Sequence, residues 1–338
     1  MLRHIARWDL DKTYLRTEFD TFRDVLRTAL ERPDEKRTNP GASTLLREMV
    51  RAGVSVHILS GSPEQMRRRL EDKLRLDGIS WDSFTLKPNL QNVLRFRFRA
   101  VRDQLGYKLP ALLLARAKAA AGFGPDSFEK ETLFGDDAEA DAFVYSLYAD
   151  ILRGRVSDEV LETVCAKGRV YADVIESITS AAREIAPADA VERILIHLER
   201  QTPPDDFRAY GGRVVPFYNY LQAAFVVHED GRVPAEAVLR VAVELVVHHR
   251  FDGDGLARSY LDLARRGHLR GTGVPDVAEA FADWTQQERV PGVNELRTMI
   301  ERLPALAPVA AASFRGTASA SADYASLVDS HNRRGRRR

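Results

Sequence analysis

The chain has 338 residues, 50 of them basic and 49 acidic, with 44% hydrophobic and 29% charged side chains. That length can bury two sizeable cores, and the near-neutral balance argues against bulk attraction to nucleic acid. The single cysteine, Cys165, cannot form an internal disulfide, and its helical surroundings make it a core thiol. No apolar run reaches bilayer length: the best, 214–227, is broken by Asn219 and Gln222. The N-terminus lacks the continuous apolar core of a leader, so a cytoplasmic protein without a transmembrane segment is expected.

Leu2 to Trp8 reads as a short strand, although Arg7 sits among its apolar residues. It runs into Trp8-Asp9-Leu10-Asp11-Lys12-Thr13. At a strand end the chain loosens, so Asp9 and Asp11 can converge on one point instead of splaying to opposite faces. The C-terminal strand edge of an open parallel sheet is also where ligands bind. Two carboxylates and the hydroxyl of Thr13 are hard oxygen ligands suited to Mg²⁺.

Residues 14–40 are polar, with a helix predicted over Thr21 to Leu30. Ala42 to Ala52 places Leu45, Leu46, Met49 and Val50 at helical spacing, and Gly53 ends it. Val54 to Leu59 reads as a buried strand closing on the turn Ser60-Gly61-Ser62-Pro63. Strand, helix, strand in this order is a parallel crossover. The next helix, to Leu76, carries Arg67, Arg68, Arg69, Lys73 and Arg75, either a solvated face or a collector of anionic substrate. The alternating Leu94 to Arg99 piece fits a strand or the start of a helix capped at Gly106. Pro110 in a first turn puts Lys108 at the N-terminus of a helix running to Ala121, where the dipole favours phosphate. A strand over 131–134 then leads to Gly135-Asp136-Asp137-Ala138-Glu139-Ala140-Asp141 and a helix to Leu152.

From Val156 the periodicity is helical, with helices expected over 157–185 (interrupted near Gly168), 187–200, 214–228, 234–250, 255–267, 274–289 and 292–303. Residues 305–338 are Ala/Ser-rich and then basic, and read as a disordered tail. Asp252-Gly253-Asp254-Gly255 fails the calcium-loop pattern at its twelfth position, Leu263, and reads as a helix cap. His248 and His249 are helix neighbours that cannot point at one metal.

The ordered set Asp9-Leu10-Asp11-Lys12-Thr13, Ser60-Gly61-Ser62, Lys108 and Gly135-Asp136-Asp137 to Asp141 resembles the haloacid dehalogenase superfamily of aspartate-nucleophile phosphohydrolases. The Ser-Gly-Ser-Pro turn and compact spacing are most similar to the phosphatidate phosphatase branch of actin-patch proteins. The resemblance covers roughly residues 1–155. It implies a doubly wound parallel α/β domain over 1–155, which periodicity follows with an all-α domain over 156–304. It also implies Asp9 as nucleophile, Asp11 as general acid and base oriented by Thr13, and Ser60 with the Gly61 amide holding a phosphoryl oxygen. Lys108 would offset developing charge, although Lys118 and Lys130 compete for that role. Mg²⁺ would be held by Asp9, the Asp11 carbonyl and Asp136, with Asp137 as a further ligand and Asp141 steadying Lys108. The implied activity is phosphomonoester hydrolysis. Substrates would be a phosphorylated small molecule, a lipid headgroup or a macromolecule. Because 63–107 leaves little room for a cap, either residues 157–303 act as the lid over a small substrate or the site is open to a large one. The phosphatidate phosphatase likeness favours the large or lipid substrate. The alternative is a non-catalytic scaffold binding through its helical half.

Overall fold

The computed structural model describes residues 4–16, 37–87, 100–121, 130–287, 289–317 and 321–334. The helix predicted over 21–30 and the Arg/Phe piece at 94–99 lie outside them. Its centre is a parallel sheet built from β1 (Ile5–Trp8), β2 (Ser55–Pro63), β3 (Ser83–Lys87), β4 (Glu131–Asp136), β5 (Val191–His197) and β6 (Val214–Phe217). Their spatial order is β3-β2-β1-β4-β5-β6, every pair parallel. The chain builds outward from β1 to β3, returns, and builds the other way from β4 to β6. The direction reverses between β1 and β4, the place where open α/β sheets form their crevice.

Strand alternation sorts the side chains onto two faces. Ala6, Trp8, Val56, Ile58, Phe134, Leu195, Val215 and Phe217 belong to one apolar core. Helices α1 (Ala42–Arg51) and α2 (Arg67–Leu76) contribute to it, as do α7 (Tyr220–Glu229), α8 (Ala235–His249), α9 (Gly253–Arg265), α10 (Gly273–Gln287) and α11 (Val293–Ser313). Leu133, Ile194, Ile196 and Val214 join the opposite core. There they meet α3 (Ala100–Ala121), α4 (Asp141–Leu152), α5 (Asp158–Lys167), α6 (Ala172–Arg183) and α12 (Tyr324–Arg334). The sheet is therefore doubly wound, as expected.

Several expectations are corrected. Residues 191–197 and 214–217, read as helix within an all-α half, are strands of this same sheet. Charged residues in β5 hid its character: Arg193 is buried because it pairs with Asp230 at 2.7 Å, and Glu192 is engaged by Arg232. Pro216 is tolerated because β6 is an edge strand. The tail is also ordered in part. Helix α11 continues to Ser313, and α12 docks through buried Tyr324 and Val328, with the Tyr324 hydroxyl donating to Asp150 Oδ2 at 2.7 Å. Pro110 lies inside α3 and Gly106 within it, so Lys108 sits mid-helix and receives no help from the helix N-terminus.

Arg7 is not an intruder. Its Nε and NH2 donate to Glu131 at 2.7 and 3.1 Å, while Arg116 NH1 and the Tyr148 hydroxyl donate to the same carboxylate at 3.1 Å. This buried cluster ties β1 to β4, α3 and α4. Asp252 caps α9, as its spacing predicts.

Candidate active site

Asp9 directly follows β1 and Asp136 ends β4, on neighbouring strands whose register pairs Trp8 with Phe134. The Asp9 amide donates to Phe134 O at 3.0 Å, which sets the two acids on one edge. After Asp136 the chain turns at 137–140 into α4, and Asp141 in its first turn comes back over the strand end. That approach requires a glycine: a Cβ on Gly135 would lie 2.5 Å from Asp141 Oδ2. Asp141 Oδ2 accepts from the Asp136 amide at 3.2 Å, and Asp136 Oδ1 accepts from the amides of Ala138 and Glu139 at 2.6 and 2.9 Å.

Lys108 reaches into this group from α3 and is fully buried. Its Nζ lies 2.6 Å from Asp141 Oδ1, 3.0 Å from Asp9 Oδ1 and 3.2 Å from Glu139 Oε2. Lys118, the competing candidate, is exposed on the same helix, and Lys130 lies next to β4 at its N-terminal end. The contact expected between Asp141 and Lys108 is thus present. Glu139 was not singled out beforehand, nor was Gln104, which stands one helical turn before Lys108 and donates to Glu139. Neither gave a sequence signal beyond the i, i+4 spacing of Gln104 and Lys108.

The remaining expected residues distribute differently. Ser60 ends the regular part of β2, before a register shift between Ser60 and Pro63 that contains Gly61. Ser60 Oγ donates to Asp11 Oδ2 at 2.9 Å, Ser62 Oγ donates to the same oxygen at 2.7 Å, and the Ser62 amide donates to Ser60 Oγ at 3.0 Å. Asp11 is therefore oriented by the two serines and not by Thr13. Thr13 Oγ1 lies between the carboxylates, 3.3 Å from Asp9 Oδ2 and 3.5 Å from Asp136 Oδ2. Asp137 turns away: its oxygens accept from the amides of Arg200 and Thr202 at 2.8 and 2.9 Å and anchor the loop after β5. It stands outside the acidic cluster.

Electrostatics separate these groups. Burial pushes the Asp9 carboxyl well above the usual carboxylate range; Lys108 opposes this, and the neighbouring acids Asp141, Glu139 and Asp136 add to it. Burial raises Asp136 as well, reinforced by Asp141 and Glu139, and it raises Glu139 against the pull of Lys108. Burial acts to lower Lys108, but Asp141 and Asp9 outweigh it and hold the ammonium charged. The cluster thus has more negative charge than one lysine can balance.

Asp9, Asp136 and Asp141 each offer one oxygen, all within 4.8 Å of one another. Asp9 Oδ1 faces Lys108 without an aligned hydrogen bond. An all-oxygen set with surplus negative charge fits a hard divalent cation such as Mg²⁺. The third acid of this set is Asp141, where Asp137 had been expected.

The basic residues of α2 are largely matched by acids nearby: Arg67 pairs with Glu64 and Glu71, Arg75 with Asp72 and Glu71, and Lys73 with Asp77. Arg68 is exposed, whereas Lys73 is buried beside Asp77. Among the described residues no helix is long and apolar enough to cross a membrane. Comparison with known proteins finds no matching family model, no matching curated protein and no matching solved structure.

Proposed function

We propose that the chain is a Mg²⁺-dependent phosphomonoester hydrolase of haloacid dehalogenase type. The observation that carries this reading is Lys108 Nζ placed 3.0 Å from Asp9 and 2.6 Å from Asp141, beside Asp136, at the reversal of strand order. A surface acidic turn would have no buried lysine at its centre, and no structural role accounts for so many partly uncompensated carboxylates there.

Asp9 is the nucleophile. Its carboxylate attacks phosphorus, the phosphorus–oxygen bond to the leaving group breaks, and an aspartyl-phosphate forms on Asp9. Asp11, held by the hydroxyls of Ser60 and Ser62, gives its proton to the departing alkoxide. In the second half Asp11 takes a proton from water, the water oxygen attacks phosphorus, and inorganic phosphate leaves with Asp9 restored. Lys108 pulls the Asp9 pKa down against the burial that raises it and balances the charge gathering on the transferred group. On this reading the one Ser60 hydroxyl hydrogen passes from Asp11 Oδ2 to a phosphoryl oxygen when substrate binds, leaving Asp11 to Ser62. A divalent cation held by Asp9, Asp136 and Asp141 would supply the remaining positive charge when bound.

The test is hydrolysis of an aryl phosphate by the full chain with Mg²⁺ and after EDTA treatment. Turnover that EDTA removes and Mg²⁺ restores supports the proposal. No turnover of any phosphomonoester in a broad panel overturns it and favours a binding scaffold.

A further inference from the structure

The turn that carries Asp9, Asp11 and Thr13 closes on Leu10 O, which accepts from the Tyr14 and Leu15 amides at 3.0 and 2.7 Å, but its Lys12 and Thr13 carbonyls are held from outside. Lys12 within it adopts φ 62°, the left-handed region that costs a residue with a side chain about 1–2 kcal/mol. Such a conformation persists only where the surroundings impose it. Here they do so through two backbone carbonyls. Asn39 Nδ2 donates to Lys12 O at 2.9 Å and to Thr13 O at 2.7 Å. The Tyr220 hydroxyl donates to Thr13 O at 2.7 Å. His197 Nδ1 lies 3.3 Å from Lys12 O, and burial keeps its imidazole neutral.

These groups come from the loop before α1, the start of α7 and the end of β5, and Asn39 and Tyr220 are both buried. They also pack on one another and on the strands beneath. Gly41 takes φ 85° where a Cβ would lie 2.9 Å from Tyr220 Cβ, so the Asn39 loop seats directly on α7. Tyr220 stacks on Trp8, which stacks on Phe134 at 3.9 Å between centroids.

We infer that Asn39 and Tyr220, with His197, are positioning residues that lock the Asp9–Thr13 turn by its carbonyls. Fixing Thr13 O fixes the Thr13 hydroxyl between Asp9 and Asp136. Fixing Lys12 O sets the backbone from which Asp11 reaches the two serines. The residues beyond 190 thereby complete the site from beneath. The catalytic part of this inference rests on the phosphohydrolase reading.

The experiment compares Tyr220→Phe and Asn39→Ala with Tyr324→Phe, which removes a buried hydroxyl from its bond to Asp150 on the other face of the sheet. Amide exchange is followed in the metal-free full chain over residues 9–16, and turnover of an aryl phosphate is measured alongside. Tyr220→Phe should speed exchange there by roughly tenfold, the scale of losing one buried hydrogen bond, and Asn39→Ala by more. Exchange over 131–136 should stay unchanged. Turnover should fall in kcat by about tenfold with KM within about twofold. Tyr324→Phe should lower Tm without moving either readout. Wild-type exchange over 9–16 in Tyr220→Phe overturns the inference, and this mild variant decides the matter if Asn39→Ala does not fold. Faster exchange in a chain that hydrolyses no phosphate ester would leave the clamp standing and remove the phosphohydrolase reading instead.

Discussion

An acidic cluster assembled for a cation should strain the fold when that cation is missing, and Asp136→Asn isolates the strain. The amide can still accept from Ala138 and Glu139, so the turn into α4 keeps its hydrogen bonds. Two full charges 4.8 Å apart, the outer spacing of the three ligand atoms, repel by about 3.5 kcal/mol at an effective dielectric near 20. Neutralising Asp136 removes its repulsion from Asp141, Glu139 and Asp9 and gives up one attraction, to Lys108. Partial protonation trims the surplus of repulsion to about 1–3 kcal/mol of added stability. With an unfolding entropy of about 2.1 cal/mol/K per residue, Tm should rise by roughly 1–4 °C. The pH dependence has a definite sign. Burial, then Asp141 and Glu139, raise the folded pKa of Asp136, so its own contribution to stability is full below the ordinary carboxylate range and is lost as pH rises through the raised folded pKa. The variant's advantage should therefore vanish near pH 3 and grow as pH rises. Calorimetry in EDTA at pH 7 and pH 3, repeated with Mg²⁺, reads all of this. Mg²⁺ should stabilise the wild type and close the gap. A variant less stable than wild type in EDTA at pH 7 would show the cluster to be compensated, and the reasoning would fail.

Three further outcomes follow from the same geometry. Lys108→Ala should lower kcat by roughly a hundredfold, the scale for one preorganised electrostatic group, and should destabilise by about 3–5 kcal/mol because Asp9 and Asp141 lose their buried partner; kinetics and urea unfolding check both. Gly135→Ala should cost about 1–3 kcal/mol and most of the turnover, since the new methyl meets Asp141 at 2.5 Å; a variant with wild-type kcat and Tm would contradict the close approach. His4 is buried on Thr132 with its pKa lowered to about 3, first by burial and then by Arg232. Its contribution is intact above pH 6.5 and should drain by about 1.4 kcal/mol per pH unit as acid approaches pH 3. His4→Gln should flatten that part of the stability profile.

The parts of the site legible in the sequence were local ones. Asp9, Ser60 and Asp136 each follow an apolar run, so a strand end could be placed beneath each of them. Lys108 was identified for a wrong reason, because Pro110 sits inside α3 and not in its first turn. Choosing among Asp137, Glu139 and Asp141 required knowing how the chain turns after β4, and consecutive acids carry no such signal. The hydroxyl donors that hold Asp11 could not be read either, because Ser62 joins only once the β2 register shifts. Strand β5 was missed because its charges are neutralised by partners far along the chain, Asp230 for Arg193 and Arg232 for Glu192. Uncharged β6 was missed because its apolar residues run almost directly into those of α7. Asn39, His197 and Tyr220 act through backbone carbonyls, contacts for which a residue's type gives no warning.

The proposed mechanism stands on Asp9 itself carrying the phosphoryl group. The direct measurement is acid quench of the full chain during turnover of a phosphate-labelled aryl ester with Mg²⁺, followed by peptide mapping. The account predicts label on the peptide containing Asp9, discharged by hydroxylamine and absent from Asp9→Asn, whose amide keeps the shape but cannot form the acyl-phosphate. Label on another residue, or undiminished turnover in Asp9→Asn, would contradict it.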